Sequence, residues 1–585
     1  MKIRDRIHSI ISGIKNGMQR FPITIGFSVM MVILLIYFNE TRSNMTNVLS
    51  DRLTRVNMVV GIGILLSSCI SLLRERFFSN NRTKTFISYI LGLGILILYY
   101  IFLLNDFRDV SIIRYIGTVV FLVLAFFYIP RLKKYGDIYE YYVIDILSNI
   151  FLTAIYSIVL LIGLFFIFFT IDRLFDIVVA GKLYYYTFLL VIFVFAVSFF
   201  LSKIPENHRE FGGYSFSKSL RILLSYIVIP LISIYTIILY IYFTKILISW
   251  EWPKGLVSHL VLWYSSISVG IIFLTNRIVE EDRVSRWFRK VFPKVNLPIL
   301  LMMFISIGQR IGQYGITENR YYILVLGIWV TGMMIYISIK KSIKTIIIPI
   351  SLSLIVLNSV FGPLSSFTIS KFSQNRRLEG ILRENGMLEN NLIIKKTDLP
   401  LDTQIEISNI ISYFDNRYTL SDISLLKDDF SLEDMEDVFG FVYEPDNSKG
   451  DGEYVFFHIN LYEEVVPVVD YDYFVNIVPW GKNSFSMDGL NIEYIANGNS
   501  LSIRDGDEEI INLDIKEIIK EIYNRLNIDN QGTKDIRNLE EMTYRLEDDK
   551  LKLELIFTNF SGRLNREKEL EEISGIEFIL LLKRK

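Results

Sequence analysis

Cysteine and histidine are scarce in this sequence. Of its 585 residues, only Cys69 is a cysteine and four are histidines. A single cysteine excludes an intramolecular disulfide and a thiolate metal site, and the scattered histidines do not form the paired spacing that metal sites use. We therefore expect no metal, no cofactor and no internal disulfide.

The motifs of several common enzymes are also missing. The sequence contains no Walker phosphate loop and no GxSxG elbow, so a nucleotide-driven motor and a serine hydrolase are not expected. The acidic segment Asp446–Glu453 begins like a calcium loop, but Phe457 stands where the bidentate glutamate is needed, and a solvated turn is the better interpretation. No catalytic residue is assigned, and an enzyme is the less favoured class.

Hydrophobic residues make up 51% of the chain, and the mean hydropathy is +0.38, which is high for a soluble protein of this size. The near-zero net charge hides two opposite halves. Residues 371–585 contain 25 basic and 44 acidic residues, whereas residues 1–370 contain 36 basic and 18 acidic residues. This division predicts a cationic membrane region followed by an acidic soluble region, and it argues against nucleic-acid binding.

The first twenty residues have a different pattern from the rest. Their apolar residues fall on one helical stripe flanked by basic residues, which is typical of an interfacial helix on an anionic leaflet. A solvated helix that docks on cytoplasmic loops is the alternative. Because the first apolar run follows this long basic lead, no cleavable signal peptide is expected.

About eleven apolar runs are long enough to cross a bilayer. Basic residues are concentrated in alternate connections between them, which predicts a cytoplasmic N-terminus and, for an odd number of spans, an extracytoplasmic C-terminal region. The predicted runs are Phe21–Phe38, Val56–Leu73, Phe86–Leu104, Ile112–Ile129, Ile150–Ile171, Tyr184–Leu201, Leu220–Phe243, Leu256–Leu274, Leu297–Tyr314, Tyr322–Ile339 and Thr345–Phe361.

The most polar stretch between two spans is Gly308–Tyr322, which we call the polar hairpin. We expect a helix from Leu297, capped by Asn296, then a left-handed turn at Gly315 and a second helix capped by Thr317. A charge carried this far into a membrane helix normally faces protein or water. The candidate functional residues are Arg310, Gln313, Tyr314, Glu318, Arg320 and Tyr321.

Two interpretations of the polar hairpin stay open. In the functional one, Arg310 and Tyr314 line a polar cleft. Glu318, Arg320 and Tyr321 lie at its mouth. In the structural one, the same residues form an ion pair and an interfacial aromatic belt. Asp172, Asp176 and Glu251 are candidate partners for Arg310. Whether the run 297–314 spans fully or re-enters is also open, and re-entry would move the C-terminal region to the cytoplasm.

After residue 369 the composition becomes that of a soluble protein. We predict a juxtamembrane helix and linker over 370–400 and an α+β domain with a mainly antiparallel sheet over 401–585, following the transmembrane domain 21–369. Alternating apolar residues predict strands around 473–477, 490–494 and 551–557. Isoleucines between Ile515 and Ile522 predict a helix that covers one face of the sheet.

The stretch from Arg310 to Tyr322 (RIGQYGITENRYY), with Arg20-Phe21-Pro22 at the first span, resembles a bacterial membrane-protein family catalogued as domain of unknown function 4153. The resemblance implies a multi-pass protein of the bacterial cell envelope, and it brings no activity with it. Gln313 departs from the family pattern at a position where we expect an acidic residue.

Three hypotheses of function follow. The first is transport or gating of a small or lipid-like solute at the polar hairpin. The second is a signalling or envelope-assembly scaffold whose extracytoplasmic domain binds a membrane or envelope protein. The third, a membrane-embedded transferase, lacks a clustered set of catalytic residues. The expected partners are the lipid bilayer and an unidentified ligand or protein.

Overall fold

A computed structural model shows two compact units, residues 1–399 with 410–442 and residues 400–409 with 443–585. Residues 15–20 are helical, and the proposed interfacial helix otherwise lies outside the described residues, as do Asp176, Glu251 and the acidic segment Asp446–Glu453. The structure describes residues 15–585 except 43–44, 79–80, 105–108, 134–138, 176–179, 207–216, 250–255, 280–281, 341, 391, 445–453, 460–465, 479–482, 496–498, 507, 527–532, 536–538 and 565–569.

The first unit is a helical membrane bundle. Within the described residues, ten helices are long and apolar enough to cross a membrane, and a shorter apolar helix follows them, which confirms the expectation of about eleven spans. The helices are α1 (Pro22–Thr41), α2 (Asn47–Phe77), α3 (Arg82–Leu103), α4 (Asp109–Tyr128), α5 (Tyr139–Phe175), α6 (Gly181–Ser202), α7 (Lys218–Ser249), α8 (Leu256–Thr275), α9 (Arg283–Tyr314), α10 (Glu318–Ile339) and α11 (Ile347–Val360).

Two of these helices contain π-helical segments, Leu190–Ala196 in α6 and Leu223–Val228 in α7. The second segment ends just before Pro230. Proline has no N–H to donate, so a helix that continues through it must rearrange its hydrogen bonds locally. The wider π turn is one such rearrangement.

Helix α9 begins earlier than the sequence suggested, and the expectation that Asn296 caps it is wrong. The cap is Asp282, whose carboxylate accepts a 2.8 Å hydrogen bond from the backbone N–H of Ser285. The helix then continues through Pro293 and Pro298. Asn296 is buried and accepts a bond from the Ser265 hydroxyl instead. Helix α9 has 32 residues and is about 48 Å long. It is therefore an unbroken helix that is longer than the roughly 30 Å hydrocarbon core.

Polar segments follow the last membrane helix in the chain. Helix α12 (Ser366–Glu384) follows α11, and α13 (Leu401–Arg417) precedes a 3₁₀ turn at Leu420–Asp422. A capping box formed by Ser431 and Asp434 opens a 3₁₀ turn at Leu432–Asp434, and the short α14 (Met435–Val438) follows it. Two short strands, β1 (Leu388–Glu389) and β2 (Leu392–Ile393), pair between α12 and α13.

The second unit contains two sheets, and its strands pair antiparallel except for β3 with β9. One sheet has the order β4-β12-β11-β3-β9 with β10 beside β11, and the other has the order β5-β6-β7-β8. The strands are β3 (Tyr454–His458), β4 (Tyr473–Ile477), β5 (Ser484–Met487), β6 (Leu490–Ile495), β7 (Ser500–Asp505), β8 (Glu508–Asp514), β9 (Thr533–Asp535), β10 (Thr543–Glu547), β11 (Leu551–Leu564) and β12 (Leu570–Arg584).

Helix α15 (Ile515–Arg525) covers the core of this unit, as the isoleucine spacing predicts. Ile515, Ile518, Ile519 and Ile522 are all buried and share one core with both sheets. The α+β fold with a mainly antiparallel sheet is therefore confirmed. Apolar residues at helical and strand spacing were sufficient to predict it because burial of one face requires those periods.

Candidate functional site

The polar hairpin turns sharply between α9 and α10. Gly315 has a φ of +68° and its N–H donates a 2.9 Å bond to the Ile311 carbonyl, in agreement with the expected positive-φ cap. A Cβ at this position would lie 2.9 Å from Nε2 of Gln374. Glycine is required here both by the backbone conformation and by the close approach of α12.

Helix α12 is hydrogen-bonded to this turn. Nε2 of Gln374 donates to the carbonyls of Tyr314 and Ile316 at 3.1 and 3.2 Å. The N–H of Ile316 donates in turn to the Ser373 hydroxyl at 2.8 Å. These bonds satisfy backbone groups that a helix end otherwise leaves exposed, so the turn and α12 hold each other in place.

Arg320 also stabilises the turn. Its guanidinium donates to the carbonyls of Tyr314 and Gly315 at 3.1 and 2.8 Å, and its Cζ lies 5.5 Å from the centre of the Tyr314 ring. Arg377 approaches the same ring at 5.7 Å. Tyr314 is therefore an aromatic partner for two cations. Arg310 and Arg377 both repel the positive charge of Arg320.

Arg310 and Gln313 have a different environment. Arg310 is half-buried and lies four residues before the end of α9, and it makes no hydrogen bond or ion pair with any residue that the structure describes. Gln313 is exposed. The neighbouring Gly308 and Gly312 would meet no atom within 4 Å if they carried a Cβ, so within this chain they are not the close helix contact that their spacing suggests.

Glu318, the first residue of α10, is the buried carboxylate of the polar hairpin, with 5% of its surface exposed. It accepts a 2.8 Å hydrogen bond from the Tyr413 hydroxyl and another from the Tyr418 hydroxyl. Tyr321, one turn along, donates to the carbonyl of Leu364. The sequence drew attention to Glu318 and Tyr321 but not to their partners, which lie far away in the chain.

The environment of these two tyrosines favours their protonated form. Burial is the main reason that the pKa of Tyr413 is raised, and the Glu318 carboxylate adds to the effect. Burial likewise raises the pKa of Tyr418, with further contributions from Tyr413 and Glu318. Both phenols therefore stay protonated and remain hydrogen-bond donors at neutral pH.

A polar cavity of about 550 Å³ lies beside Tyr418, and we call it the cationic cavity. Among the described residues that line it, Arg114, Lys371 and Arg417 are cationic and Asp422 is the one acid. This volume is within the range of small-molecule sites. The excess of positive charge favours an anionic occupant.

Two of the cations are held by carboxylates. The ammonium of Lys371 lies 2.6 Å from Asp422 and 4.9 Å from the centre of the Tyr418 ring. Burial raises the pKa of the Asp422 carboxyl, but hydrogen bonds from Lys371 and Thr419 more than offset this, and its pKa is lowered overall. Arg417 pairs with Asp109 at 3.4 Å with both side chains well exposed, so this pair contributes little stability.

Arg114 is the cation with unused hydrogen-bonding capacity. Its guanidinium carbon lies 5.1 Å from the centre of the Phe367 ring. Its Nε is buried and has no hydrogen-bond partner among the residues that the structure describes. Buried polar groups are normally paired, and an anion in the cationic cavity would supply the missing acceptor.

A second buried carboxylate, Glu140, lies at the opposite end of the bundle and was not singled out from the sequence. Its side chain is 2% exposed. It accepts hydrogen bonds from Asn276, Arg277 and Thr345 at 2.5, 3.1 and 3.0 Å. It therefore joins the start of α5 to the segments after α8 and before α11. The signal that could have found it is a carboxylate in the first turn of a membrane-length helix.

The described residues contain no group of three or more histidine, cysteine or acidic side chains that could hold a metal ion. Tyr471, just before strand β4, donates a 2.5 Å bond to Glu554. Strand β4 is at one edge of its sheet.

Comparison with known proteins identifies the family. Residues 26–395, more than half of the chain, match the family described as Domain of unknown function (DUF4153). The chain belongs to this family. It is also similar to the Uncharacterized protein PM1469 of Pasteurella multocida (strain Pm70), with 24% identity over 284 residues, 48% of each chain. The match thus spans about half the length of that relative. No solved structure matches.

The DUF4153 match begins within the first membrane helix and ends beyond α12. It therefore includes the polar hairpin, Arg114 and Lys371, whereas Tyr413, Tyr418 and Asp422 lie after it. The apolar helices within the matched range make this chain an integral, multi-pass membrane protein.

Proposed function

We propose that this DUF4153 protein binds an anionic solute in the cationic cavity and moves or gates it across the cell membrane. The observation that carries the proposal is the buried Nε of Arg114, which lacks an acceptor within the described chain beside a cavity of solute size. Arginine matches carboxylate and phosphate oxygens geometrically, because its guanidinium donates in a planar fork.

The wall of the cavity offers a route from binding to movement. Tyr418 lines the cationic cavity and also donates to Glu318 at the start of α10. A solute that displaces Tyr418 would therefore disturb a buried carboxylate of the polar hairpin. In this proposal Glu318, Arg320, Tyr321 and Tyr314 hold the hairpin in position, and Arg310 and Gln313 face the path of the solute.

We infer that the polar hairpin faces the outside of the cell and that the N-terminus is cytoplasmic. The connections at the other end of the helices carry the basic residues, including the Lys340–Lys344 region, in the distribution that sets membrane orientation. This orientation makes the acidic C-terminal unit extracytoplasmic in the proposal.

A binding experiment with glycerol phosphate as probe tests the proposal. Full-length protein in detergent is titrated calorimetrically, and Arg114→Gln is compared with Lys290→Gln, an equal charge change at an exposed site in α9. We expect Arg114→Gln to weaken binding at least about tenfold, since it removes charged hydrogen bonds, and Lys290→Gln to leave it unchanged. Equal binding by all three proteins contradicts the proposal.

The rate at which the probe crosses a membrane is a second test of the proposal. Proteoliposomes that contain the wild-type protein are expected to release entrapped glycerol phosphate faster than liposomes without protein, and Arg310→Ala is expected to slow this release with thermal stability unchanged. If the variant releases the probe at the wild-type rate, Arg310 has no part in the path.

A signalling or assembly scaffold is the second candidate, and one observation favours it. Gln374 and Ser373 fasten the polar hairpin to α12, the helix from which the chain continues toward the C-terminal unit. For a scaffold, Gln374→Ala should abolish the cellular function while Arg114→Gln and Arg310→Ala are mild. The reverse order of severity supports the solute-binding function.

A further inference from the structure

An apolar groove adjoins the cationic cavity. The groove has a volume of about 550 Å³, and its walls come from α2, α3, α4 and the end of α11, with Leu66, Leu98, Leu122 and Leu357 as representative residues. Phe102 and Leu103, the last residues of α3, line both the groove and the cationic cavity. The two spaces therefore share a wall at the end of α3.

The groove contains almost no polar surface of its own. Its two polar side chains, Tyr99 and Thr118, lie 3.5 Å apart at their hydroxyl groups. The Thr118 hydroxyl also donates a 2.8 Å bond to the carbonyl of Arg114, one turn earlier in α4. The hydroxyl groups are thus engaged within the protein, and the space suits a hydrocarbon chain rather than a polar solute.

The side of the groove formed by α3 is accessible to the surroundings of the bundle. Leu98 is 55% exposed and Phe102 is 70% exposed. In a membrane helix such side chains face lipid, because lipid tails are the apolar solvent there. A molecule of the bilayer can therefore enter the groove sideways without crossing water.

The cationic groups lie where the groove ends. Arg114 is in the second turn of α4, and the last turn of α3 carries Phe102 and Leu103. Both positions are at the end of a membrane-length helix, which is the level of lipid headgroups. The apolar groove lies at the depth of the lipid acyl chains, and the positive charge lies at the depth of the headgroups. An anionic amphiphile matches both.

We propose, on the basis of the proposed function, that the solute is an anionic phospholipid of the bilayer. Its phosphate would lie in the cationic cavity and accept from Arg114, and one acyl chain would lie in the groove along α3. A free phosphorylated solute would use the same cationic groups but leave the groove empty. Whether the groove contributes to binding affinity therefore distinguishes a phospholipid from a free phosphorylated solute.

Three probes separate these sources. Full-length protein in detergent is titrated with phosphatidylglycerol, phosphatidylcholine and glycerol phosphate, and retained lipid is counted by native mass spectrometry. We expect phosphatidylglycerol to bind at least about tenfold more tightly than either of the others, since it alone combines a net negative headgroup with acyl chains.

The groove is tested with Leu98→Trp, which fills it from the lipid side. Leu91→Trp is the matched control, because Leu91 is 62% exposed on the same helix and does not line the groove. We expect Leu98→Trp to weaken phosphatidylglycerol binding at least about tenfold with no effect on glycerol phosphate, and Leu91→Trp to change neither. Both sites face lipid, so neither substitution disturbs the packed interior.

The outcomes separate this inference from the function on which it rests. If glycerol phosphate binds as tightly as phosphatidylglycerol and Leu98→Trp affects neither, the lipid assignment fails while the anionic site stands. If Arg114→Gln leaves the binding of every probe unchanged, the anionic site fails as well. Equal affinity for phosphatidylcholine and phosphatidylglycerol overturns the assignment of an anionic headgroup.

Discussion

The hydroxyl of Tyr413 donates a 2.8 Å hydrogen bond to the Glu318 carboxylate, 95 residues earlier in the chain. Tyr418 donates to the same carboxylate. The bonds tie the end of α13 and the residue after it to the first turn of α10. They let an acid remain buried at a helix N-terminus, where the helix dipole also favours negative charge. This junction links the polar hairpin with the cationic cavity.

Loss of either tyrosine hydroxyl should destabilise the membrane unit. Tyr413→Phe or Tyr418→Phe leaves the buried carboxylate with one donor fewer, at a cost of about 1–3 kcal/mol. The midpoint of thermal unfolding in detergent measures the effect. Tyr37→Phe is the control, because Tyr37 is 51% exposed. A midpoint equal to that of the control would show that the bonds contribute no stability.

The same tyrosines predict a pH dependence. Their pKa values are raised on folding, so their stabilising effect is complete below the ordinary tyrosine pKa of about 10 and is lost as pH rises through the folded values. We expect the wild-type unfolding midpoint to fall more steeply above about pH 10 than that of the double variant Tyr413→Phe/Tyr418→Phe. Parallel curves would contradict this linkage.

Gly315 and Gly312 form a matched pair for testing the turn. Gly315→Ala forces a side chain into a positive-φ position 2.9 Å from Gln374, and we expect it to destabilise the protein by about 1–3 kcal/mol. Gly312→Ala meets no atom within 4 Å inside a helix and should be neutral or stabilising by up to about 1 kcal/mol. Equal unfolding midpoints for the two variants would exclude strain at the turn.

Glu140→Ala should destabilise the other end of the bundle. The change leaves three donors without their acceptor, one of which, the Thr345 hydroxyl, belongs to a buried residue. We expect a loss of about 2–4 kcal/mol. Glu384→Ala, at an exposed acid in the last turn of α12, is the control and should change the unfolding midpoint little. A loss no larger than that of the control would mean that Glu140 does not hold its three segments together.

Membrane orientation can be measured with single cysteines, since the native Cys69 is buried. Asn319→Cys and Lys340→Cys place a thiol at exposed positions at opposite ends of α10. With a membrane-impermeant maleimide on intact cells, we expect Asn319→Cys to be labelled and Lys340→Cys to react only after lysis. The opposite pattern would invert the orientation proposed for the molecule.

Local sequence patterns predicted the parts of this structure that depend on local physics. Gly315 was identified because only glycine tolerates its backbone conformation, and the isoleucines of α15 because a half-buried helix needs their spacing. The predicted start of α9 was wrong because proline interrupts many helices but not all of them. At Pro293 and Pro298 the surrounding helices outweigh that local preference.

The partners of the functional groups could not be predicted in the same way. Glu140 meets Thr345, and Glu318 meets Tyr418, across separations of 205 and 100 residues. Which distant segment supplies a donor depends on how the helices pack, and a single sequence carries no record of that packing. The cationic cavity was missed for this reason, since its cations come from three separate segments.

The brevity of α11 has an electrical consequence. Its 14 residues extend only about 21 Å, against roughly 30 Å for an ordinary hydrocarbon layer. Lipids beside this helix must shorten or tilt to match it. Where the hydrocarbon layer thins beside α11, a membrane potential drops over a shorter distance and the electric field is stronger. This helix also contributes to one wall of the apolar groove.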